Sequence, residues 1–363
     1  MIRPPLTLLA LAVLASCSLT EGSGGPSQVW SAAIPDADGF AGPASADDAH
    51  VYVVRGRALH AFDVETGDVA WRAPVSNVCT PAPVAAGRVF CPSDRLHAFD
   101  AQTGAPLWTA TPDSTLLFVT AAADAQRVYV GTLSSIAAYD AASGALVWQR
   151  SLKAPEWTGT RNRALALDGS TLFATTEAGY SDNGYLSASA VVALDAATGR
   201  ERWRFVDGDG SDSQKIGGLA VTDDVLIYSD PENGQQVVAV DRATRAVRWR
   251  VPRRPGFLGT LEAPAVVDGV AYLAEGDERL YAIDVATGDV RWSVMPDRGS
   301  YRGHAVCGSY LVGDNTALTV VDRSDGSRVD VLFGGSGENV LQLATRGRRL
   351  FVATTAGVYA YDC

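Results

Sequence analysis

Lysine is nearly absent from this chain. Of its 30 basic side chains only Lys153 and Lys215 are lysine, and there are four histidines and two methionines. The 41 acidic residues give a formal net charge of −11. The basic stripe that phosphate binding and counterion release require is therefore missing, and nucleic acid is excluded as a partner. No apolar run is long enough to span a bilayer. Leu6 to Leu14 is a stretch of nine residues, far short of a hydrocarbon core about 30 Å thick at 1.5 Å per helical residue. No H-E-x-x-H pair, phosphate loop or G-x-S-x-G elbow occurs, which leaves hydrolytic and nucleotide-dependent chemistry without residues to carry it. What is present is a globular composition, 47% hydrophobic and 20% charged, which excludes wholesale disorder. A length of 363 residues implies two or more domains unless the chain is one repeat array.

Arg3 followed by Leu6–Leu14 reads as a secretory signal. The segment ends Leu14-Ala15-Ser16-Cys17, which resembles the bacterial lipobox, cleaved before a cysteine that receives diacylglycerol. The alternative is an ordinary signal with an incidental cysteine. The expected layout is a lipoprotein signal peptide over 1–16, lipidated Cys17 with a flexible tether to residue 27 (SLTEGSGGPS after the cysteine), and one folded unit over 28–363. That places the protein outside the cytoplasm, held to the bacterial cell membrane by lipid alone, and to the outer membrane if the organism has one. With Cys17 assigned to lipid, Cys79, Cys91, Cys307 and Cys363 remain, and three connectivities are open. Cys79–Cys91 and Cys307–Cys363 is the preferred pairing for an oxidising compartment, with buried free thiols as the alternative.

An apolar-x-Ala-x-Asp pattern recurs along the chain, ending at Asp63, Asp100, Asp140, Asp195, Asp241, Asp284, Asp322 and Asp362. The period is about 43 residues, in the range of propeller blades. A glycine follows four places later at Gly67, Gly104, Gly144, Gly199 and Gly288, and a tryptophan eight places later at Trp71, Trp108, Trp148, Trp203, Trp249 and Trp292. Alternation before the aspartate marks a half-buried strand. The carboxylate is suited to accept turn N–H groups, and the glycine supplies the positive φ that closes the turn. The tryptophan offers a large flat apolar surface. The alanine two places before the aspartate, with Val320 the exception, leaves room for a neighbour's indole. These are architectural residues rather than catalytic acids.

A second hairpin lies between each tryptophan and the next aspartate, for instance Ala263–Val267, Asp268-Gly269 and Val270–Ala274, so each unit holds four short antiparallel strands. The last copy stops one residue past Asp362 and lacks its fourth strand, while Gln28–Ala32, with Trp30, is an orphan strand of that kind. Pairing the two terminal segments predicts an all-β, eight-bladed β-propeller of four-stranded antiparallel blades. Such a closed ring leaves no open array with exposed sheet edges.

The A-x-D-x-x-T-G-x-x-x-W repeat resembles the tryptophan-docking motif of the pyrroloquinoline-quinone (PQQ) dehydrogenase-like β-propellers, over about residues 28–363. The resemblance implies the fold and not the quinone, because that family also includes the BamB-like lipoproteins of the outer-membrane β-barrel assembly machinery, which bind none. Its quinoprotein members carry a vicinal Cys-Cys disulfide over the cofactor, a calcium site and a catalytic aspartate. This chain has no adjacent cysteines, and its Asp207–Asp212 stretch (DGDGSD) lacks the glycine and glutamate of a calcium loop. Neither PQQ nor calcium is expected, and no catalytic or metal-binding residue is assigned. Copy 5 has Arg245 in place of the turn glycine, and copy 7 has Asp330 in place of the tryptophan. Of the histidines His50, His60, His97 and His304, His60 and His97 hold the same place in adjacent repeats, which repetition explains better than metal.

Six long connections fall on the second-to-third-strand and blade-to-blade face of blades 3 to 7: Lys153–Arg163, Glu177–Ser189, Asp207–Gly217, Ser229–Gln236, Pro252–Leu261 and Met295–Gly303. They carry Trp157, Tyr180, Tyr185, Phe257 and Tyr301 among Arg161, Arg163, Arg253, Arg254 and Arg302, a composition of binding faces. The expected function is a non-enzymatic, membrane-anchored scaffold, monomeric, holding a protein or peptide on this face. The alternative is a PQQ-dependent dehydrogenase-like enzyme or small-ligand sensor using the central channel, with Arg161, Glu262, Arg302 and His304 as lining candidates.

Overall fold

The computed structural model describes residues 24–34, 42, 44–76, 79, 82–111, 118–132, 134–154, 157, 159–179, 186–207, 217–230, 236–252, 263–275, 279–295, 303–314, 317–332 and 339–363. The strand running into each repeat aspartate is buried almost throughout, as in Ala58–Asp63 and Ser135–Asp140, because sheets pack against both of its faces. The strand after the turn buries only every second residue, the tryptophan among them, as in Val69–Pro74 and Val247–Pro252. A fully buried strand beside a half-buried one is the signature of a radial stack, with each sheet edge-on to solvent only at its rim.

Eight four-stranded antiparallel sheets make up the molecule. Blades 1 to 7 span residues 45–74, 84–110, 118–151, 159–207, 219–252, 265–294 and 303–332, each with its strands in sequence order. First strands of adjoining blades touch around the axis, as 118–123 does 159–168 and 303–307 does 340–346. Blade 8 combines Val340–Arg346, Arg349–Thr354 and Gly357–Asp362 with Ser27–Ala33 as its outer strand. The register runs from Ser27 opposite Asp362 to Ala33 opposite Gly357, so the ring closes through pairing of the two ends of the chain, as the repeat predicts. Among the described residues there is no helix long and apolar enough to cross a membrane.

Blades are joined by the indoles. Asp63 Oδ1 accepts the N–H groups of Glu65 and Thr66, both at 2.9 Å, and Gly67 donates to the Asp63 carbonyl. The ring of Trp30 from the preceding blade lies over that turn and donates from Nε1 to Val64 O at 2.9 Å. Trp71, Trp108, Trp148, Trp249 and Trp292 repeat the bond to the carbonyl of Ala101, Ala141, Ala196, Val285 and Arg323. Burial of an indole contributes roughly 4–6 kcal/mol as an upper value, so these docks are a principal cohesive element between blades. At copy 5, Arg245 takes φ +63° in the glycine's place, with its guanidinium 6.0 Å from the Trp203 ring centre.

The neighbour for which the alanine before each aspartate leaves room is the adjacent strand. The alanine lies directly opposite the tryptophan of its own blade, as Ala61 does Trp71 and Ala282 does Trp292, so it makes room for the indole on that strand. The two exceptions belong together, since Val320 faces Asp330. Just before every tryptophan position the outer strand carries one extra residue, at Val29, Ala70, Leu107, Val147, Arg202, Arg248, Arg291 and Val329. Such a bulge increases local twist, and it turns the indole toward the next blade.

Among the described residues two disulfides are present. Cys79 precedes blade 2 and joins Cys91 on its second strand, with Cα atoms 4.9 Å apart; the bond therefore ties a connector to a strand and does not lie within one hairpin. Cys307 joins Cys363 with Cα atoms 5.7 Å apart, linking blade 7 to the last residue of the chain.

Candidate functional site

The two faces of the ring differ in kind. One bears the tight first-to-second and third-to-fourth strand turns, and its aspartates are occupied by their own turns. Turn N–H groups, first among them that of Thr66, hold the Asp63 carboxyl below the usual range. The hydroxyls of Thr103 and Ser143 do the same for Asp100 and Asp140. Arg202, followed by Thr198, brings Asp195 down to about 2. Arg202 and Arg291, both bulged residues, pair with Asp195 and Asp284 at 2.8 and 2.7 Å, and Arg248 pairs likewise with Asp241. Grooves of about 520, 510 and 430 Å³ open on this face between blades 8 and 1, 6 and 7, and 5 and 6. Their recurrence at equivalent junctions makes them a product of the repeat.

The opposite face bears the longer connections, and among the described residues the strands of blade 4 extend farthest onto it. Its first three strands, Gly159–Asp168, Thr171–Gly179 and Leu186–Asp195, have ten, nine and ten residues, whereas the second and third strands of every other blade have five or six. The repeat aspartate Asp195 is aligned with the others, so the surplus of about four residues projects from the connector face, by roughly 13 Å at 3.3 Å per residue. Parts of two segments expected as loops are thus strand: 159–163, 177–179 and 186–189. Their serines and alanines give no turn signal and continue the ladder.

The projecting hairpin is braced at its base. Arg163 is the extra residue of a bulge between Asn162 and Ala164, and its guanidinium bonds Glu177 through Nε and Nη2 at 2.7 and 2.9 Å. The Glu177 side chain is 0% exposed and that of Arg163 25%. Asn162, buried, donates from Nδ2 to the carbonyls of Thr132 and Ser135 in blade 3 at 2.9 and 3.1 Å, and Leu165 N–H donates to Thr120 Oγ1 at 3.1 Å.

Two residues expected on the binding surface are instead part of this brace. Trp157 is 1% exposed and packs with Tyr129, Ile136, Trp148, Leu152 and Leu172 between blades 3 and 4, and the Arg204 guanidinium lies 4.8 Å from its ring centre. Trp157 N–H donates to Ala154 O at 3.0 Å, and an aromatic read as an exposed anchor is a core residue. Arg163 is committed to Glu177. Arg161 lies on the first strand of blade 4, opposite Glu177, but its side chain is outside the described residues. Tyr180, Tyr185, Arg253, Arg254, Phe257, Tyr301, Arg302 and Glu262 also lie outside them.

Of the channel candidates, His304 is described. It lines a cavity of about 130 Å³ with Gly303, Asp314 and Gln342 between the first strands of blades 7 and 8, and burial pushes its imidazole down to about 4. A volume of that size holds a few waters rather than a quinone. Among the described residues no three His, Cys, Asp or Glu side chains converge as a metal-ligand set. Asp207, first residue of the DGDGSD stretch, is bonded by Arg250 at 2.7 and 3.0 Å and by the Tyr228 hydroxyl at 2.5 Å. The disulfides join residues 12 and 56 positions apart, so neither is the vicinal pair. The described residues do not fit a calcium–quinone centre.

Comparison with known proteins agrees with this architecture. The chain matches the family described as outer membrane protein assembly factor BamB over residues 19–183 and 187–350. Among solved structures it is similar to BamB from Moraxella catarrhalis, with 19% identity, a TM-score of 0.71, and coverage of 93% of this chain and 100% of that one. It is also similar to the quinohemoprotein alcohol dehydrogenase ADHIIG from Pseudomonas putida HK5, at 14% identity and a TM-score of 0.73, covering 94% of this chain and 76% of that one. At such identities the likeness is one of fold. Among curated proteins it is 35% identical over 159 residues to the serine/threonine-protein kinase AfsK of Streptomyces griseus. That match takes in 40% of this chain and 19% of the kinase's length.

Proposed function

Because the chain belongs to the family described as outer membrane protein assembly factor BamB, we propose that it works as a non-enzymatic scaffold holding a protein or peptide partner on its connector face. The observation that carries this reading is the asymmetry of the ring. Turn-face aspartates are consumed by their own turns, whereas blade 4 invests a buried ion pair and a buried amide in supporting a hairpin that projects from the opposite face. A rigid base beneath a variable tip is how binding loops are presented. Residues 180–185, with Tyr180 and Tyr185, join the two arms of that hairpin, and Arg253, Arg254, Phe257, Tyr301 and Arg302 belong to connectors of the same face. Anchoring at Cys17 keeps the scaffold outside the cytoplasm at a lipid surface, and neither PQQ nor calcium takes part.

Crosslinking from the connector face of the membrane-anchored protein, followed by partner capture, tests the reading. Tyr185→Ala, Arg253→Ala or Phe257→Ala should each weaken capture by about tenfold, the scale of a hot-spot residue, while the fold is retained. Undiminished capture by all three would place the partner elsewhere. Native mass spectrometry of residues 28–363 with PQQ and calcium tests the other reading. An unchanged mass is expected, and a stoichiometric gain reversed by chelator would transfer the function to the central channel.

A further inference from the structure

The eight blade junctions are not closed in the same way. Seven receive a tryptophan from the preceding outer strand, Trp30, Trp71, Trp108, Trp148, Trp203, Trp249 or Trp292. The junction between blades 7 and 8 has Asp330 at that place, so no indole reaches across to the repeat aspartate of blade 8, Asp362. The residue after Asp362 is Cys363, bonded to Cys307 at the turn-face end of blade 7's first strand. Cys363 is further fixed within blade 8: its N–H donates to Arg348 O at 2.9 Å, and Arg348 donates back from Nε and Nη2 to Cys363 O at 2.9 and 2.6 Å. Gly308, beside Cys307, lies so close beneath it that a Cβ there would come within 3.0 Å of Cys363 O.

We propose that the Cys307–Cys363 disulfide is the redox latch of the ring, standing in for the missing indole dock, so that the propeller is fully closed only in an oxidising compartment and its last seam is loosened by dithiols. Closure transfers two electrons: the Cys307 and Cys363 thiols lose two protons to a partner disulfide, which is reduced to two thiols. Opening is the reverse. Cys307 is wholly buried and Cys363 partly exposed, so a reductant thiolate attacks Cys363 Sγ and forms a mixed disulfide. Cys307 leaves as thiolate and takes up a proton, and the reductant's second thiol then displaces Cys363. The seam so released covers Val312, Leu318, Val340, Leu350, Val352 and Tyr361, apolar residues drawn from blades 7 and 8.

Hydrogen exchange read by mass spectrometry tests the latch in the mature chain carrying Cys79→Ser and Cys91→Ser, which leaves one reducible bond. Addition of dithiothreitol should accelerate exchange at 303–314, 349–362 and 27–33 by about tenfold or more, with residues 84–252 unchanged, as expected of a local opening. Oxidised glutathione should restore protection, and Cys363→Ser in the otherwise natural chain should show the accelerated pattern without reductant. Unchanged exchange at the seam after mass has confirmed reduction, or uniform acceleration around the ring, would overturn the proposal. If the double serine variant does not fold, Cys363→Ser against the natural chain makes the same comparison.

Discussion

A methyl group on Gly144 would sit 2.5 Å from a carbon of the Trp108 ring, at a backbone angle of φ +73°. The residue is glycine for two reasons at once, left-handed backbone and the indole resting on its Cα. Gly169 has φ +54° with nothing within 4 Å of a Cβ, and only the first reason applies. Gly169→Ala should therefore cost about 1–2 kcal/mol, and Gly144→Ala about 1–3 kcal/mol more through displacement of the indole. Urea unfolding of the two variants side by side reads the difference, and equal losses would mean that the indole yields freely. At this scale the sequence is legible where chemistry recurs: aspartate, glycine and tryptophan keep their spacing because each has one job wherever the repeat carries it. The bulge that aims the tryptophan was not legible, since Ala70, Leu107, Val147 and Arg202 share a position and nothing else. The alanine was legible as room for a neighbour's indole, and the structure adds which neighbour, the adjacent strand.

Blade 4 carries the clearest consequence at the scale of elements. Arg163→Ala leaves the Glu177 carboxylate wholly buried without its guanidinium, a loss of about 3 kcal/mol by the cost of breaking a buried pair. Removing both charges with Arg163→Met and Glu177→Met should return most of it. Thermal unfolding supplies the stabilities, and hydrogen exchange over 171–179 and 186–195 locates the effect. A double variant as unstable as Arg163→Ala would show that bond geometry rather than charge burial sets the cost. Strand and blade boundaries followed from the pattern because alternation ends where turn residues begin. The connectors have no counterpart in other repeats, so nothing in their composition separates Trp157, which turns inward to fill the gap between blades 3 and 4, from an aromatic on a surface. Arg163 was equally opaque, because its partner lies 14 positions away across an extended hairpin that residue types alone do not announce.

For the molecule as a whole, the depressed acidities act in concert. Asp63, Asp100, Asp140, Asp195, Asp241 and Asp284 all lie below the ordinary 3.8, and His304 lies near 4 against an ordinary 6.5. Every one of these groups holds fewer protons folded than unfolded, so acid favours the unfolded chain. The share owed to His304 is present above pH 6.5 and is lost between about 6.5 and 4. The share owed to the aspartates is present above about 4 and is lost as pH falls toward 2. The midpoint temperature should be level near neutrality, decline modestly to pH 4 and fall steeply below it, and His304→Gln should shrink the first decline alone, leaving the part owed to His97, which burial also lowers. A midpoint rising between pH 6.5 and 4 in the natural protein would reverse the sign assigned to His304.

The outer strand of blade 8 is made first and its partner last: Trp30 faces Ala360, and the Tyr361 hydroxyl reaches Gln28 across 333 positions. At 5–20 residues per second the 333 positions between Gln28 and Tyr361 take roughly 20–70 s to follow, and for that interval the first strand has no sheet to join. A copy interrupted before Gly357 would hold seven finished blades beside an unclaimed strand. The strand that satisfies it most closely is Gly357–Asp362 of another copy, so synthesis that falters before Gly357 should yield exchanged oligomers, with the arrival of that strand deciding between one ring and several entangled ones.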